Sequence, residues 1–146
     1  MSTKSQLVQT ALALIESYNK WDIEAIMAIR TPDCIQQILP KTLGRPEMDN
    51  ATYKLWFGAM IPYFRNFNVT VDDIIEDVAA NKVTLWAHST SDSAVGPYAN
   101  EYILILHMNE AGDKITKFFE FVDSSQSATF FPKLREFVAQ NPGAEW

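Results

Sequence analysis

Apolar residues recur at helical intervals in the first part of the chain and at every second position later on. The apolar positions of the first stretch are Leu7, Val8, Ala11, Leu12, Ile15 and Tyr18. Their three- and four-residue intervals predict a first helix, which a capping box of Thr3 and Gln6 would begin. Asp22 is the predicted N-cap of a short second helix. Thr31-Pro32 is predicted to end that helix, because the residue before a proline disfavours helical geometry.

A third helix is predicted after a polar loop. Asp49 or Asn50 would cap it, and Pro62 would kink or shorten its last turn. Before the loop, residues 34–39 form a short apolar–polar run bounded by prolines, which predicts an edge strand. Residues 130–138 return to helical spacing and predict a terminal helix.

From Phe67 onward the apolar spacing changes to two. The predicted strands cover residues 67–71, 74–78, 83–91, 98–109 and 115–122. Short breaks between alternating runs are typical of an antiparallel meander. Because helices and strands are segregated, the pattern indicates an α+β fold. A strongly curved antiparallel sheet around three helices, with a C-terminal helix, would form a cone with an apolar interior.

Composition and charge narrow the class of protein. The 146 residues fit one domain, 1–146, and 47% of them are apolar, as in globular proteins. The net charge is −6 without a basic stripe, so we expect neither a nucleic-acid nor a membrane partner. Cys34 is the only cysteine, which excludes an internal disulfide. We expect no metal and a cytoplasmic location, because the chain shows no ligand cluster, signal peptide or spanning segment.

Several strings resemble a known family. Residues 18–26 read Tyr-Asn-Lys-Trp-Asp-Ile-Glu-Ala-Ile and precede Thr-Pro-Asp-Cys at 31–34. Residues 96–102 read Gly-Pro-Tyr-Ala-Asn-Glu-Tyr, and residues 114–123 read Lys-Ile-Thr-Lys-Phe-Phe-Glu-Phe-Val-Asp. With the element order and the length, these strings resemble the SnoaL-like branch of the NTF2-like superfamily. They are more closely similar to its fungal members from secondary-metabolite pathways, which include isomerases of terretonin- and austinol-type meroterpenoid biosynthesis.

The resemblance implies a function and a set of site residues. It implies an isomerase or cyclase that needs no cofactor and rearranges a hydrophobic polycyclic intermediate, of meroterpenoid or polyketide origin, by acid–base chemistry. The polar positions matched to that group are Arg30, Tyr98, Tyr102 and Glu120. The positions that resemble the catalytic tyrosine and aspartate of ketosteroid isomerases are Leu14 and Ile38 or Leu39. Ketosteroid isomerase chemistry is therefore not expected.

Glu120 is the main candidate for proton transfer. It lies between phenylalanines in a predicted strand, so it points either to solvent or into a pocket. Inside a pocket, desolvation would raise the pKa of its carboxyl group toward a useful value. Alternation alone leaves both orientations open, and the resemblance favours the pocket.

Tyr98, Asn100 and Tyr102 share one face of a predicted strand and could bind a carbonyl or an enolate oxygen. Buried tyrosines also simply find hydrogen-bond partners. The opposite face, with Ile103 and Ile105, is equally suited to a core, so the choice of face stays open at this point.

The remaining candidates have ordinary structural alternatives. Arg30 is predicted at the end of the second helix, where it could hold an oxyanion or simply balance the helix dipole. His88 could shuttle a proton or be a structural histidine. The predicted wall of the substrate pocket comprises Trp56, Phe57, Met60, Phe64 and Trp86, together with Asn100 and His88.

Two other functions stay open. The same acid–base groups would serve a dehydratase or a hydrolase of a similar substrate, and the fold also hosts non-catalytic binding or dimerisation modules. The surplus of apolar strand positions predicts a homodimer through the outer face of the sheet. The acidic residues between 72 and 77 lack metal-site spacing and are interpreted as a solvated hairpin.

Overall fold

Three helices and an edge strand precede a four-stranded meander and a last helix. The computed structural model describes residues 5–143 and Trp146. The helices are α1 (Gln6–Asn19), α2 (Ile23–Ala28), α3 (Asn50–Met60) and α4 (Ser124–Gln140). The strands are β1 (Arg30–Leu39), β2 (Phe64–Asp77), β3 (Lys82–Ser93), β4 (Tyr98–Met108) and β5 (Ile115–Val122). This arrangement confirms the predicted α+β class.

Side-chain caps begin the first three helices. Asp22 accepts a hydrogen bond from the backbone N–H of Glu24, and Asp49 accepts one from that of Thr52, so both predicted aspartate caps are confirmed. The cap of α1 is Ser5 rather than a Thr3–Gln6 box. Thr3 itself lies outside the described residues.

The predicted end of α2 is wrong. The helix stops at Ala28, and Arg30 begins β1, which runs through Pro32. Pairing with β5 fixes the chain here: Arg30 lies opposite Ile115, whose N–H donates to the carbonyl of Ile29 at 2.8 Å. An irregular register after Arg30 accommodates the proline within an edge strand.

The strands form one curved sheet in the order β1-β5-β4-β3-β2. Neighbours from β2 to β5 are antiparallel, which confirms the meander, but β1 pairs with β5 in parallel and departs from the all-antiparallel prediction. The two strands predicted at 67–71 and 74–78 are one strand, β2, with a bulge between Val71 and Asp73.

Helix packing decides which face of the sheet is buried. α1 packs on β2 and β3, and α4 packs on β4. The inner face therefore includes Tyr98, Asn100 and Tyr102, all buried, whereas Ile103 on the outer face is 40% exposed. The sequence did not decide which face of β4 is buried, and the structure shows that it is the face with the two tyrosines. No helix among the described residues is long and apolar enough to cross a membrane.

Candidate active site

A cavity of about 360 Å³ lies between the inner face of the sheet and the helices. Its wall is mostly apolar, and polar groups come from α1, β1, the loop before α3, α3, β4, β5 and α4. The apolar wall includes Trp21, Leu43, Trp56, Phe57, Met60, Phe64, Phe67, Leu104, Phe118 and Phe131. Such a volume with few polar groups is typical of a small-molecule site.

The aromatic part of the wall comes largely from α3 and the start of β2. The structure places Trp56, Phe57, Met60 and Phe64 in the wall, where the sequence put them. The Phe57 ring stacks on that of Tyr53, with centroids 5.4 Å apart. These contacts form an aromatic, mostly apolar surface opposite the sheet.

Glu120 lies on the inner face of β5 and lines the cavity. Its strand neighbours in register are Ile38 on β1 and Leu104 on β4. Within the described residues, its carboxyl group makes no ion pair and no hydrogen bond. Burial raises the pKa of Glu120 from 4.5 to about 7, and the positive charges of Arg30 and Arg45 oppose the rise. At neutral pH the group can therefore both give and accept a proton.

Two phenols from β4 lie in the same wall. The hydroxyls of Tyr98 and Tyr102 are 3.3 Å apart, and that of Tyr102 is 2.7 Å from the Ser89 hydroxyl. The Asn100 amide donates to the Tyr98 oxygen at 2.8 Å, so Tyr98 keeps its own proton for another acceptor. Burial raises the pKa of Tyr98 to about 12 and that of Tyr102 well above its usual value, so both are neutral donors.

Asn100 fixes this group of polar side chains in one orientation. Its Oδ1 accepts from the backbone N–H groups of Glu101 at 2.9 Å and Asp123 at 3.2 Å. Because Oδ1 is occupied by these donors, its Nδ2 faces the Tyr98 hydroxyl and the Ser127 hydroxyl on α4. The amide therefore lines the cavity chiefly as a support for Tyr98.

Arg30 lies beside the cavity, in contact with residues of its wall. It is 6% exposed, and its Cζ lies 4.1 Å from the ring centroid of Tyr53. One guanidinium nitrogen donates to Oε1 of Gln36, while Nε and Nη1 have no partner among the described residues. The guanidinium is thus placed to orient Gln36 and Tyr53 and to act on Glu120 through its charge.

The structure adds polar residues that the sequence reasoning missed. Tyr18, Gln36, Tyr53, Arg45 and Arg135 line the cavity. The hydroxyls of Tyr18 and Tyr53 are 2.5 Å apart. Gln36 carried a usable signal, because alternation gives this polar residue the same inward direction as the apolar Cys34 and Ile38. Tyr18 matched the helical apolar stripe, and nothing in the pattern distinguished Arg45 or Arg135.

His88 and Trp86 do not reach the cavity, so their predicted substrate contacts are wrong. Both lie on the outer face of β3, because Ala87 and Ser89 take the inward positions between and beside them. Nδ1 of His88 is 2.7 Å from a carboxylate oxygen of Asp72, and the Trp86 indole donates to Glu101 at 2.8 Å. The part of the chain that the structure describes holds no cluster of three or more metal-ligating side chains.

Relatives of the chain come from fungal biosynthetic gene clusters. Core atranone cluster protein 11 of Stachybotrys chlorohalonatus is 40% identical over 86% of this chain and 94% of its own length. Austinoid biosynthesis cluster protein H of Aspergillus calidoustus is 34% identical over 95% of this chain and 98% of its own. Other relatives, at 27–30% identity, are named monooxygenases. No family model matches the chain.

A solved structure from the same kind of fungal protein has a similar fold. The BvnE pinacolase of Penicillium brevicompactum superposes with a TM-score of 0.85 at 27% identity, covering 90% of this chain and 95% of that one. The fold and the cavity define a member of the NTF2-like superfamily. The chain belongs to its SnoaL-like branch, in the group of fungal biosynthesis-cluster proteins that includes the austinoid cluster proteins H, and this confirms the resemblance seen in the sequence.

The raised pKa of Glu120 predicts a pH-dependent stability. Because the folded-state pKa lies above the unfolded value, folding favours the protonated acid, and stability falls as pH rises from 4.5 to about 7. Glutamine has no proton to lose, so Glu120→Gln should not lose stability over this pH range. Above pH 7 its free energy of unfolding should be higher than that of wild type by up to about 3 kcal/mol. Urea unfolding at about pH 5 and about pH 8 measures the difference.

The matched control is Glu110→Gln, which makes the same change at an exposed carboxylate between β4 and β5. It should keep the wild-type pH dependence. Parallel stability curves for Glu120→Gln and wild type would contradict the assignment of a raised pKa.

Proposed function

We propose that the protein is an isomerase or cyclase that works without a cofactor on a hydrophobic polycyclic intermediate of secondary metabolism. The observation that carries the proposal is Glu120, an unpaired carboxyl group with a pKa of about 7 in an apolar cavity. A general acid–base group is most effective when its pKa lies near the working pH. A filled core with these polar groups turned outward would have favoured a binding module instead.

The proposed chemistry returns Glu120 to its starting state. As a carboxylate it takes a proton from the carbon that lies between a substrate carbonyl and a carbon–carbon double bond. The electron pair moves onto the carbonyl oxygen, which gives an enolate conjugated with that double bond. Tyr98 and Tyr102 donate hydrogen bonds to that oxygen as its charge grows. The Glu120 acid then returns the proton at the far carbon of that double bond, so the double bond shifts into conjugation with the carbonyl, the product is an isomer and no atom is gained or lost. The base differs from that of ketosteroid isomerases, because it lies on β5 and not at the position of Ile38 or Leu39.

The apolar wall contributes to the chemistry as well as to binding. Exclusion of water by Trp56, Phe57 and Met60 strengthens the hydrogen bonds from the phenols. The aromatic lining suits a hydrophobic ring system and limits the conformations in which it can react. The solved relative named a pinacolase and the relatives from austinoid clusters support an enzyme of this class.

Three alternatives use the same cavity, and product mass separates them. Purified protein would be incubated with metabolites that accumulate when its gene is deleted, followed by mass spectrometry. An isomerase or cyclase gives a product of unchanged mass. A dehydratase product loses the mass of water, a hydrolase product gains it, and a monooxygenase, as some relatives are named, adds one oxygen atom. Any mass change would overturn the isomerase proposal.

Glu120→Gln should lower turnover by about 10²–10⁴-fold, because the amide keeps the shape but exchanges no proton. Tyr102→Phe should lower turnover by about 10²-fold if this hydroxyl stabilises the enolate. Product formation is compared with melting temperature for each variant, and Glu110→Gln is the charge-matched control. A folded Glu120→Gln protein that turns over at the wild-type rate would show that the acid is not used.

We also propose that two copies of the chain pair through the outer face of the sheet. Trp86, Ile103 and Phe121 lie side by side across β3, β4 and β5 and are 46%, 40% and 46% exposed. Three neighbouring large apolar side chains are unusual on a free surface, and a partner that buries them would gain free energy.

The charges around this row favour a second copy as the partner. Lys82, His107 and Lys117 are neighbours at one end, and Glu101 and Asp72 lie toward the other. A two-fold axis across the strands would place the basic end of one copy against the acidic end of the other. The surface is therefore complementary to itself.

Ile103→Arg should convert a dimer to a monomer at micromolar concentration, because it places an unpaired charge in the apolar row. Sedimentation velocity measures the mass. Leu55→Arg, at a leucine on α3 that is 79% exposed, is the matched control and should stay dimeric. A monomeric wild-type protein would contradict the proposal.

A further inference from the structure

Two arginines line the cavity together with Glu120. Arg45 belongs to the loop between β1 and α3, and Arg135 belongs to α4. Among residues 5–143 and Trp146, neither guanidinium makes an ion pair or a hydrogen bond. Their N–H donors are therefore available to a bound molecule.

The two cations are close enough to affect each other. Burial lowers the pKa of Arg45, the positive charge of Arg135 lowers it further, and the Glu120 carboxylate partly offsets both. The Cζ atom of Arg45 lies 4.8 Å from the ring centroid of Trp56, so the guanidinium packs against an aromatic residue of the wall. Two positive charges thus lie at one cavity where, among the described residues, Glu120 is the only acidic side chain in the lining.

We propose that Arg45 and Arg135 bind a carboxylate carried by the hydrophobic substrate. This rests on the proposed function only in that the cavity receives a hydrophobic small molecule. A planar guanidinium matches a carboxylate with two parallel hydrogen bonds, and an anion between the two arginines relieves their mutual repulsion. The acid group anchors one end of the molecule, so that the apolar body lies along the aromatic wall and a defined carbon faces Glu120.

A pair of fluorescent probes tests this without turnover. Pyrenebutyrate and pyrenebutanol share a flat apolar ring system and differ in the terminal group, an anion in one and a neutral hydroxyl in the other. Wild-type protein should bind pyrenebutyrate about tenfold more tightly, as expected for charge-assisted hydrogen bonds. The preference should shrink as salt is added, because Arg45 is only partly buried and Arg135 is exposed.

Variants assign the preference to these two residues. Arg45→Gln/Arg135→Gln should bind both probes equally and keep the wild-type affinity for pyrenebutanol, which reports an intact cavity. Each single variant should lose part of the preference, and these decide the matter if the double variant does not fold. Lys133→Gln removes a positive charge from an exposed position of α4 and should keep the full preference.

Two results would overturn the proposal. One is wild-type protein that binds pyrenebutyrate no more tightly than pyrenebutanol. The other is a preference that survives in the folded arginine variants. Neither result depends on the isomerase mechanism, because Glu120→Gln should still bind both probes with the wild-type preference. Wild-type protein that prefers pyrenebutyrate but converts no metabolite would count against the proposed reaction alone.

Discussion

The hydrogen bonds of Asn100 hold the parts of the site together. Its carbonyl oxygen takes the N–H of Asp123, the residue that caps α4, and its amide nitrogen reaches Ser127 on the same helix. The same nitrogen supports the Tyr98 hydroxyl. A buried amide with all these partners is stable only when β4, the start of α4 and the phenol are all in place. The wall that α4 supplies and the orientation of the phenols therefore depend on one side chain.

Around this support, the interior holds ionisable groups that an ordinary core would exclude. Within residues 5–143 and Trp146, two nitrogens of the buried Arg30 have no hydrogen-bond partner, and Glu120 faces the cavity without an ion pair. Burying such groups costs free energy, which the fully buried apolar residues of α1, α2 and the sheet must offset, among them Leu14, Ile26 and Leu106. Buried charged groups that lack partners occur mostly at functional sites, and here Arg30 and Glu120 both lie at one cavity.

Much of the fold followed from short-range patterns, and the exceptions involve long-range contacts. Helical spacing, aspartate caps and strand alternation are local, so α1 to α3 and the meander were predictable. The parallel pairing of β1 with β5 joins distant parts of the chain and placed Arg30 in a strand despite the proline signal. The alternation of apolar and polar residues divides β3 and β4 into two faces, but it does not indicate which face the helices cover. For that reason Trp86 and His88 were assigned inward, and Glu120 needed the family resemblance to be assigned to the cavity.

The cavity draws its reactive groups and its shape from different parts of the chain. Glu120, Tyr98 and Tyr102 stand on the sheet, whereas Trp56 and Met60 stand on α3 and Phe131 on α4. Hydrogen bonds between the strands fix the positions of the residues on the sheet. The residues on the two helices are held against the sheet by side-chain packing. Gene duplication followed by drift in the helices would thus change the shape of the cavity while leaving Glu120 and the two phenols in place. Lineages with diversifying chemical repertoires could reuse this scaffold through few substitutions.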